Sequence, residues 1–367
     1  MTGFYMANKI YNFSAGPAVM APAVLERAQA ELLSLNGIGM SVMEISHRSS
    51  TFGDILEHAE AGMRSLLEVP SNYRILFLQG GATFQFSMVP MNFLSGSDTG
   101  DYIVTGAWGK LAVEEAAKSG KINVIYSSEA TAFRTAPQQG EVNIGRDAKY
   151  VHYTSNETID GVEFKYDLDG GNVPVVCDMS SNILSKPFDI EKYSLIYAGA
   201  QKNIGPSGVT VVIVRDDMLE TVVPGLPSLM DYAKLAKNSS MVNTPNTWGI
   251  YLIGLTCDWL HEQGGVAAME THNREKAAIL YNAIDSSDGY YSGHAEPASR
   301  SLMNVTFRLP NADLDEKFCS EAAAAGLDGL RGHRSVGGIR ASIYNAFPRE
   351  GVERLTEFMQ DFTQNNG

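Results

Sequence analysis

From Pro22 the run PAVLERAQAELLSLNG spaces Leu25, Ala28, Leu32 and Leu35 at helical intervals, with proline near the start and Gly37 just past the end. A second amphipathic stretch runs from Phe52 to Glu68 and stops before Pro70. The period then changes to short β-type runs: RILFL (Arg74 to Leu78), DYIVT (Asp101 to Thr105), KINVIY (Lys121 to Tyr126), KYVHY (Lys149 to Tyr153), VPVVCD (Val173 to Asp178) and SLIYA (Ser194 to Ala198). Helical stretches such as Gly109 to Ser119 separate several of them. This alternation predicts an α/β fold with a mostly parallel sheet covered on both faces. VTVVIV (Val209 to Val214) follows SLIYA after a turn too short for a helical crossover, so this seventh strand is predicted antiparallel.

Two further helices are predicted over 248–262 and 265–285. Then LMNVTFRL (Leu302 to Leu309), a helix over 313–325, GGIRASI (Gly337 to Ile343) and a terminal helix from Arg349 form a compact α+β unit. The predicted division is a large domain over 16–262 and a small one over 263–367, with residues 1–15 as an arm joining the small domain. A length of 367 residues agrees with two domains.

Composition narrows the function. At 44% hydrophobic and 19% charged residues the chain reads as soluble and globular. A net charge of −14 argues against nucleic acid or an anionic membrane as partner, so any bound anion must meet a local cluster of cations. Cys177, Cys257 and Cys319 lie far apart without metal-site spacing, which fits a reducing cytoplasm. Neither a signal-like apolar stretch nor a run long enough to span a membrane is present.

In open α/β sheets, ligands gather at the carboxyl ends of the strands. Gly80-Gly81-Ala82-Thr83, Asp178 and Lys202 all follow predicted strands, and a lysine at a strand end is costly unless its amine is used. Pyridoxal phosphate chemistry needs such a set: an amine for the Schiff base, a carboxylate for the pyridine nitrogen and backbone donors at a helix start for the phosphate. Trp108, after DYIVTGA, is placed to lie against the ring. Singly, each feature has an ordinary role as a turn, a helix cap, a packed ring or a solvated lysine.

In order along the chain, NFSAGPA (from Asn12), SVMEISHRS (from Ser41), GGATFQF (from Gly80), SNETIDG (from Ser155), CDMSSNILS (from Cys177), YAGAQKNIGPSG (from Tyr197), NTP (from Asn243) and GHRSVGGIRASIYNA (from Gly332) resemble the phosphoserine aminotransferases, a branch of the fold-type I pyridoxal phosphate enzymes. The resemblance makes Lys202 the Schiff-base lysine and proton shuttle, Asp178 the pyridine-nitrogen partner, Trp108 the stacking ring and Thr158 the donor to the phenolic oxygen. Ala82, Thr83 and Gln201 match phosphate contacts, with Asn243 and Thr244 reaching the phosphate from a neighbouring subunit, which implies a homodimer with shared sites. His47, Arg48, His333, Arg334 and Arg340 match positions that bind substrate anions, Arg340 taking the α-carboxylate as a bidentate fork.

The implied activity is transfer of an amino group between L-glutamate and 3-phosphohydroxypyruvate in serine biosynthesis, with 4-phosphohydroxy-L-threonine formation in pyridoxine biosynthesis as a second reaction of the family. Some members carry an arginine where this chain has Thr83, so here the distal charge of a substrate rests on fewer cations. The rivals are an alanine–glyoxylate type aminotransferase, a cysteine desulfurase and a Rossmann-type nucleotide binder. A desulfurase needs a reactive cysteine on a mobile loop, whereas Cys319 falls in a helical run. The nucleotide binder lacks both GxGxxG and GxxxxGK[ST].

Overall fold

The computed structural model describes residues 10–367, so most of the expected N-terminal arm, residues 1–9, lies outside the described residues. Strand β1 (Tyr11–Asn12) precedes helices α1 (Pro22–Glu31) and α2 (Ser50–Leu66). Then β2 (Tyr73–Leu78), α3 (Gly81–Phe93), β3 (Thr99–Val104), α4 (Ala107–Ala116) and β4 (Lys121–Ser127) alternate. β5 (Tyr150–Thr154) leads into a hairpin of two-residue strands, β6 (Asn156–Glu157) and β7 (Val162–Glu163). β8 (Val175–Asp178), β9 (Leu195–Gly199) and β10 (Thr210–Arg215) follow, then the short helices α5 (Asp216–Leu219) and α6 (Tyr232–Lys237). The remainder is α7 (Thr247–Glu262), α8 (Gly265–Asp285), β11 (Ser292–Gly293), β12 (Asn304–Arg308), α9 (Ala312–Ala324), β13 (Leu327–Asp328), β14 (Ile339–Ser342) and α10 (Arg349–Asn366).

The main sheet has seven strands in the order β2-β10-β9-β8-β5-β3-β4. β10 runs antiparallel to both neighbours, with Thr210 opposite Leu78 on one side and Gly199 on the other, as its short approach turn requires. The other pairings are parallel. Alternation divides the side chains between two faces. Ile75, Phe77, Val151, Cys177, Ile196 and Ile213 join a core with α1, α2 and α7, whereas Leu76, Leu78, Tyr102, Val176, Tyr197 and Val212 pack with residues of α3, α4 and α6. Covered on both sides, β5, β8 and β9 are buried throughout, which accounts for the largely apolar runs of β8 and β9; in β5 the buried His152 lies 2.7 Å from the Tyr197 hydroxyl.

The first helix differs from its sequence pattern. It ends at Glu31, and a 3₁₀ turn over Leu35–Gly37 follows, with Asn36 at a positive φ of 48°. The buried residues of α1 are Val24 and Ala28, while Leu25 is 43% exposed. Pro22 starts the helix as its position predicts, but Gly37 closes the separate turn rather than the helix.

A second core gathers Phe13, Leu280, Val305, Phe307, Phe318, Ile339 and Leu355 around the sheet β11-β12-β14. Phe318 is ringed by Tyr291, Phe307, Phe358 and Phe362 at centroid distances between 5.1 and 6.1 Å, an aromatic cluster that favours edge-on contacts. The chain near the N-terminus joins this core, because Tyr11 pairs in parallel with Leu327.

The β6–β7 hairpin is a seam between the two cores. Asn156 donates to the Asn304 amide oxygen (2.8 Å), and the Gly161 carbonyl accepts from the Ser301 N–H (2.9 Å). Glu163, fully buried, accepts from Lys186 (2.8 Å), Lys165 (3.1 Å) and the Leu302 N–H (3.1 Å). Burial pushes its carboxyl up, but the two lysine charges and their hydrogen bonds outweigh this and hold it down at about 2.

Candidate active site

The carboxyl ends of β2, β3, β5, β8 and β9 open on one cavity of about 300 Å³. Nine residues singled out from the sequence line it. Ala82 and Thr83 come from the first turn of α3, Trp108 from α4, Thr158 from the hairpin, Asp178 from the end of β8, Gln201 and Lys202 from the turn after β9, and His333 and Arg340 from the second core's side.

Lys202 reaches its position because β9 is buried along its whole length and the chain must turn back at once into β10. The Gln201 carbonyl accepts from the Ala18 N–H at 2.8 Å, so the N-terminal segment through Gly16 lies across the lysine's stem. Its Nζ donates to Thr158 Oγ1 at 2.7 Å. Burial, opposed by Asp178 and reinforced by Arg340, pushes the amine down to about 8. A free lysine near neutrality is almost wholly protonated, whereas this one has a usable neutral fraction.

Asp178 is 4% exposed and accepts from the Ser180 N–H at 2.8 Å. Burial raises its pKa, opposed by Ser180 and by Lys202. A buried carboxylate needs a counter-charge. The Lys202 amine supplies part of it through space while donating its hydrogen bond to Thr158, and a protonated ring nitrogen brought against Asp178 would pair with it directly.

The rest of the wall fits pyridoxal phosphate equally well. α3 begins after Gly80 with no side-chain cap, leaving the amides of its first turn for a phosphate. Gly80 has φ 101°, and a Cβ there would stand 2.8 Å from the Phe84 ring, so the tight turn that aims these amides needs glycine. The indole of Trp108 lines the cavity with its Nε1 buried and unpartnered.

Arg340 sits on β14 opposite Thr306. Its guanidinium Nε is also buried without a hydrogen-bond partner among the described residues, and burial lowers its pKa. Just beyond β14 the chain is clamped by buried Lys276, whose three donors meet the carbonyls of Ile343 (3.1 Å), Tyr344 (2.6 Å) and Phe347 (3.1 Å). His333 Nδ1 lies 2.7 Å from Ser335 Oγ and accepts from the Ser335 N–H, which leaves Nε2 to face a ligand.

Five of the sequence candidates do not line this cavity in the single chain. Asn243 and Thr244 are exposed, held near the end of β2 by an exchange of hydrogen bonds with Gln79 at 3.2 Å. Arg48 is exposed and His47 half-buried on the turn before α2, and Arg334 is exposed beside His333.

Sequence reasoning passed over Glu157 and Asp160, although both stand in the quoted SNETIDG. They are buried at 0% and 3% exposure and receive the first amides of α4: Ala107 N–H donates to Asp160 (3.0 Å), and Trp108 and Gly109 N–H donate to Glu157 (3.0 and 2.8 Å). Burial, with Asp160 beside it, pushes Glu157 up to about 8. Ser180, Ser181 and Asn156 also line the cavity unanticipated; a polar run between turn residues normally signals an exposed loop.

A family model describing class-V aminotransferases matches residues 10–355. Phosphoserine aminotransferase of Laribacter hongkongensis is 53% identical over 358 residues, covering 98% of this chain and 99% of that one. Among solved structures, phosphoserine aminotransferase from Bacillus circulans subsp. alkalophilus superposes with a TM-score of 0.97 at 47% identity, over 98% of this chain and 100% of that one. A phosphoserine aminotransferase from Trichomonas vaginalis, solved with pyridoxal phosphate bound, gives 0.90 at 41% identity over 96% and 100% of the two chains.

Proposed function

The chain belongs to the class-V aminotransferases, in their phosphoserine aminotransferase branch, and on that premise we propose that it transfers the amino group of L-glutamate to 3-phosphohydroxypyruvate, giving O-phospho-L-serine and 2-oxoglutarate in serine biosynthesis. Pyridoxal 5′-phosphate is its cofactor. One observation carries the reading: a depressed lysine amine, a buried carboxylate close enough to feel its charge and an uncapped helix start share one cavity.

Bound pyridoxal phosphate supplies an aldehyde carbon that condenses with an amine and a protonated ring that accepts the electron pair left when a substrate Cα is deprotonated. Lys202 holds the cofactor at rest. Its Nζ, with a pKa lowered to about 8, would be suited to take and return a proton at a substrate Cα near neutral pH. Asp178 keeps the ring nitrogen charged, an interaction strengthened by burial. Thr158, bonded to Nζ, would support the ring's phenolic oxygen, and Trp108, lining the same cavity, would pack against the ring and exclude water.

Ala82, Thr83 and Gln201 receive the cofactor phosphate. Arg340 grips the α-carboxylate, and its clamped strand holds the fork in place. His333, Arg334, His47 and Arg48 read the distal anion, a phosphate in one half-reaction and a carboxylate in the other. 2-Oxoglutarate leaves before the acceptor enters, so the kinetics are ping-pong.

The working unit is a homodimer in which Asn243 and Thr244 complete the phosphate site of the neighbouring subunit. Their exposure, together with that of Leu33 (85%), Met43 (59%) and Leu229 (50%), supports this assembly. The gathering of most buried residues from Ala277 onward in a core of their own supports a domain division near residue 262, with Met269 and Ala295 packing back into the first core. Three free cysteines support a cytoplasmic location, and among the described residues no helix is long and apolar enough to cross a membrane.

A coupled assay with glutamate as donor tests the proposal by comparing phosphohydroxypyruvate, glyoxylate and oxaloacetate as acceptors. A kcat/KM for phosphohydroxypyruvate at least about 100-fold above the others is expected from a phosphate read by several cations. Glyoxylate turnover equal to it would overturn the assignment in favour of an alanine–glyoxylate type enzyme.

A further inference from the structure

Two helices begin at the rim of the cavity, and their amino ends are treated in opposite ways. α3 starts from Gly80 with no side chain on its first amides, whereas α4 has three of its first amides taken by the carboxylates of Glu157 and Asp160. An open helix start attracts anions through its free N–H groups and its partial positive charge. An α4 start left open would therefore compete with α3 for a phosphate.

The closure of α4 is costly and specifically built. Both carboxyl groups are buried and burial raises the pKa of each, whereas a serine or asparagine would cap a helix with no titratable group to desolvate. Gly106 makes room for them: a Cβ there would lie 2.4 Å from Glu157 Cδ and 2.6 Å from Asp160 Oδ2. The same bonds hold the backbone of Trp108, and the indole itself meets Phe86 at 6.4 Å between centroids. Among the described residues neither carboxyl group forms an ion pair, and their oxygens are directed at the N–H groups of the helix start.

We propose that Glu157 and Asp160 are positioning residues: they close the amino end of α4 to anions, which leaves α3 as the one phosphate seat, and they fix the Trp108 indole against the cofactor ring. The hairpin that supplies them also carries Thr158 and bonds to Asn304 of the second core. One element thus sets the ring's stacking face, its phenolic partner and the direction of its phosphate.

The inference rests on the cofactor reading above, and the test separates the two. Wild-type, Glu157→Gln and Asp160→Asn holoenzymes are compared by circular dichroism of the cofactor's visible band, by inhibition with inorganic phosphate and by kcat and KM. Glu157→Gln keeps the volume but turns an amide donor toward one N–H. It should weaken the dichroic band, lower the inhibition constant for phosphate about fivefold or more and reduce kcat about tenfold, with the KM for glutamate changed less than about twofold. Asp160 meets a single amide, so Asp160→Asn should shift the same quantities in the same direction by less, and it carries the test if Glu157→Gln does not fold. A band and phosphate inhibition equal to wild type in the folded variants overturn the inference. A wild-type protein that shows no cofactor band overturns the cofactor reading itself.

Discussion

The depressed Lys202 amine makes a signed prediction about pH. With its pKa at about 8 instead of the usual 10.5, the neutral fraction at pH 7 is about a tenth, roughly 300 times that of an ordinary lysine. Only the neutral amine attacks an aldehyde, so capture of pyridoxal phosphate by the cofactor-free protein should accelerate through pH 8 and then level off. Charges around the amine move this inflection in opposite directions. Asp178 stabilises the ammonium, so Asp178→Asn should lower the inflection; Arg340 repels it, so Arg340→Gln should raise it. Stopped-flow absorbance over pH 6 to 10 reads all three curves. A wild-type rate still climbing without inflection to pH 10, or variants shifting in the same direction, would refute the electrostatic account of the site.

Arg334→Ala should raise the KM for phosphohydroxypyruvate at least tenfold, since a charge-assisted bond to phosphate is worth about 1.5–3 kcal/mol, and leave an unphosphorylated analogue nearly unaffected; equal losses on both would show that Arg334 does not read the phosphate. Glu163 has a folded pKa held below its unfolded value, so its contribution is present above about pH 4.5 and is lost as pH falls toward 2. Glu163→Gln should therefore cost about 2–4 kcal/mol in urea unfolding at pH 7, with the gap from wild type narrowing by pH 3. A gap independent of pH would remove the ion pairs as its cause.

Much of this was legible because burial on both faces writes itself into the strands. The runs ending at Leu78, Cys177 and Ala198 are mainly apolar, and each leads into a polar group at its carboxyl end, so the lysine, the carboxylate and the phosphate loop can be placed from the sequence. The orientation of β10 followed from the shortness of one turn. The hairpin was not legible, since two-residue strands have no period to detect, and a polar stretch such as SNETIDG reads as exposed although residues 155–163 are buried throughout. Glu157 and Asp160 stayed hidden for that reason: only the fold shows that their partners are the backbone amides of a helix some 50 residues upstream, at separations of 48 to 53 positions. Leu25 shows the converse limit, where a helical face chosen by spacing alone left a leucine in solvent.

The central claim is that Lys202 anchors the cofactor. Reduction of the holoenzyme with borohydride followed by peptide mass spectrometry fixes the site of attachment directly. The account predicts that the cofactor's mass appears on the peptide containing Lys202 and disappears in Lys202→Ala; attachment at another lysine, or none at all in active enzyme, would contradict it.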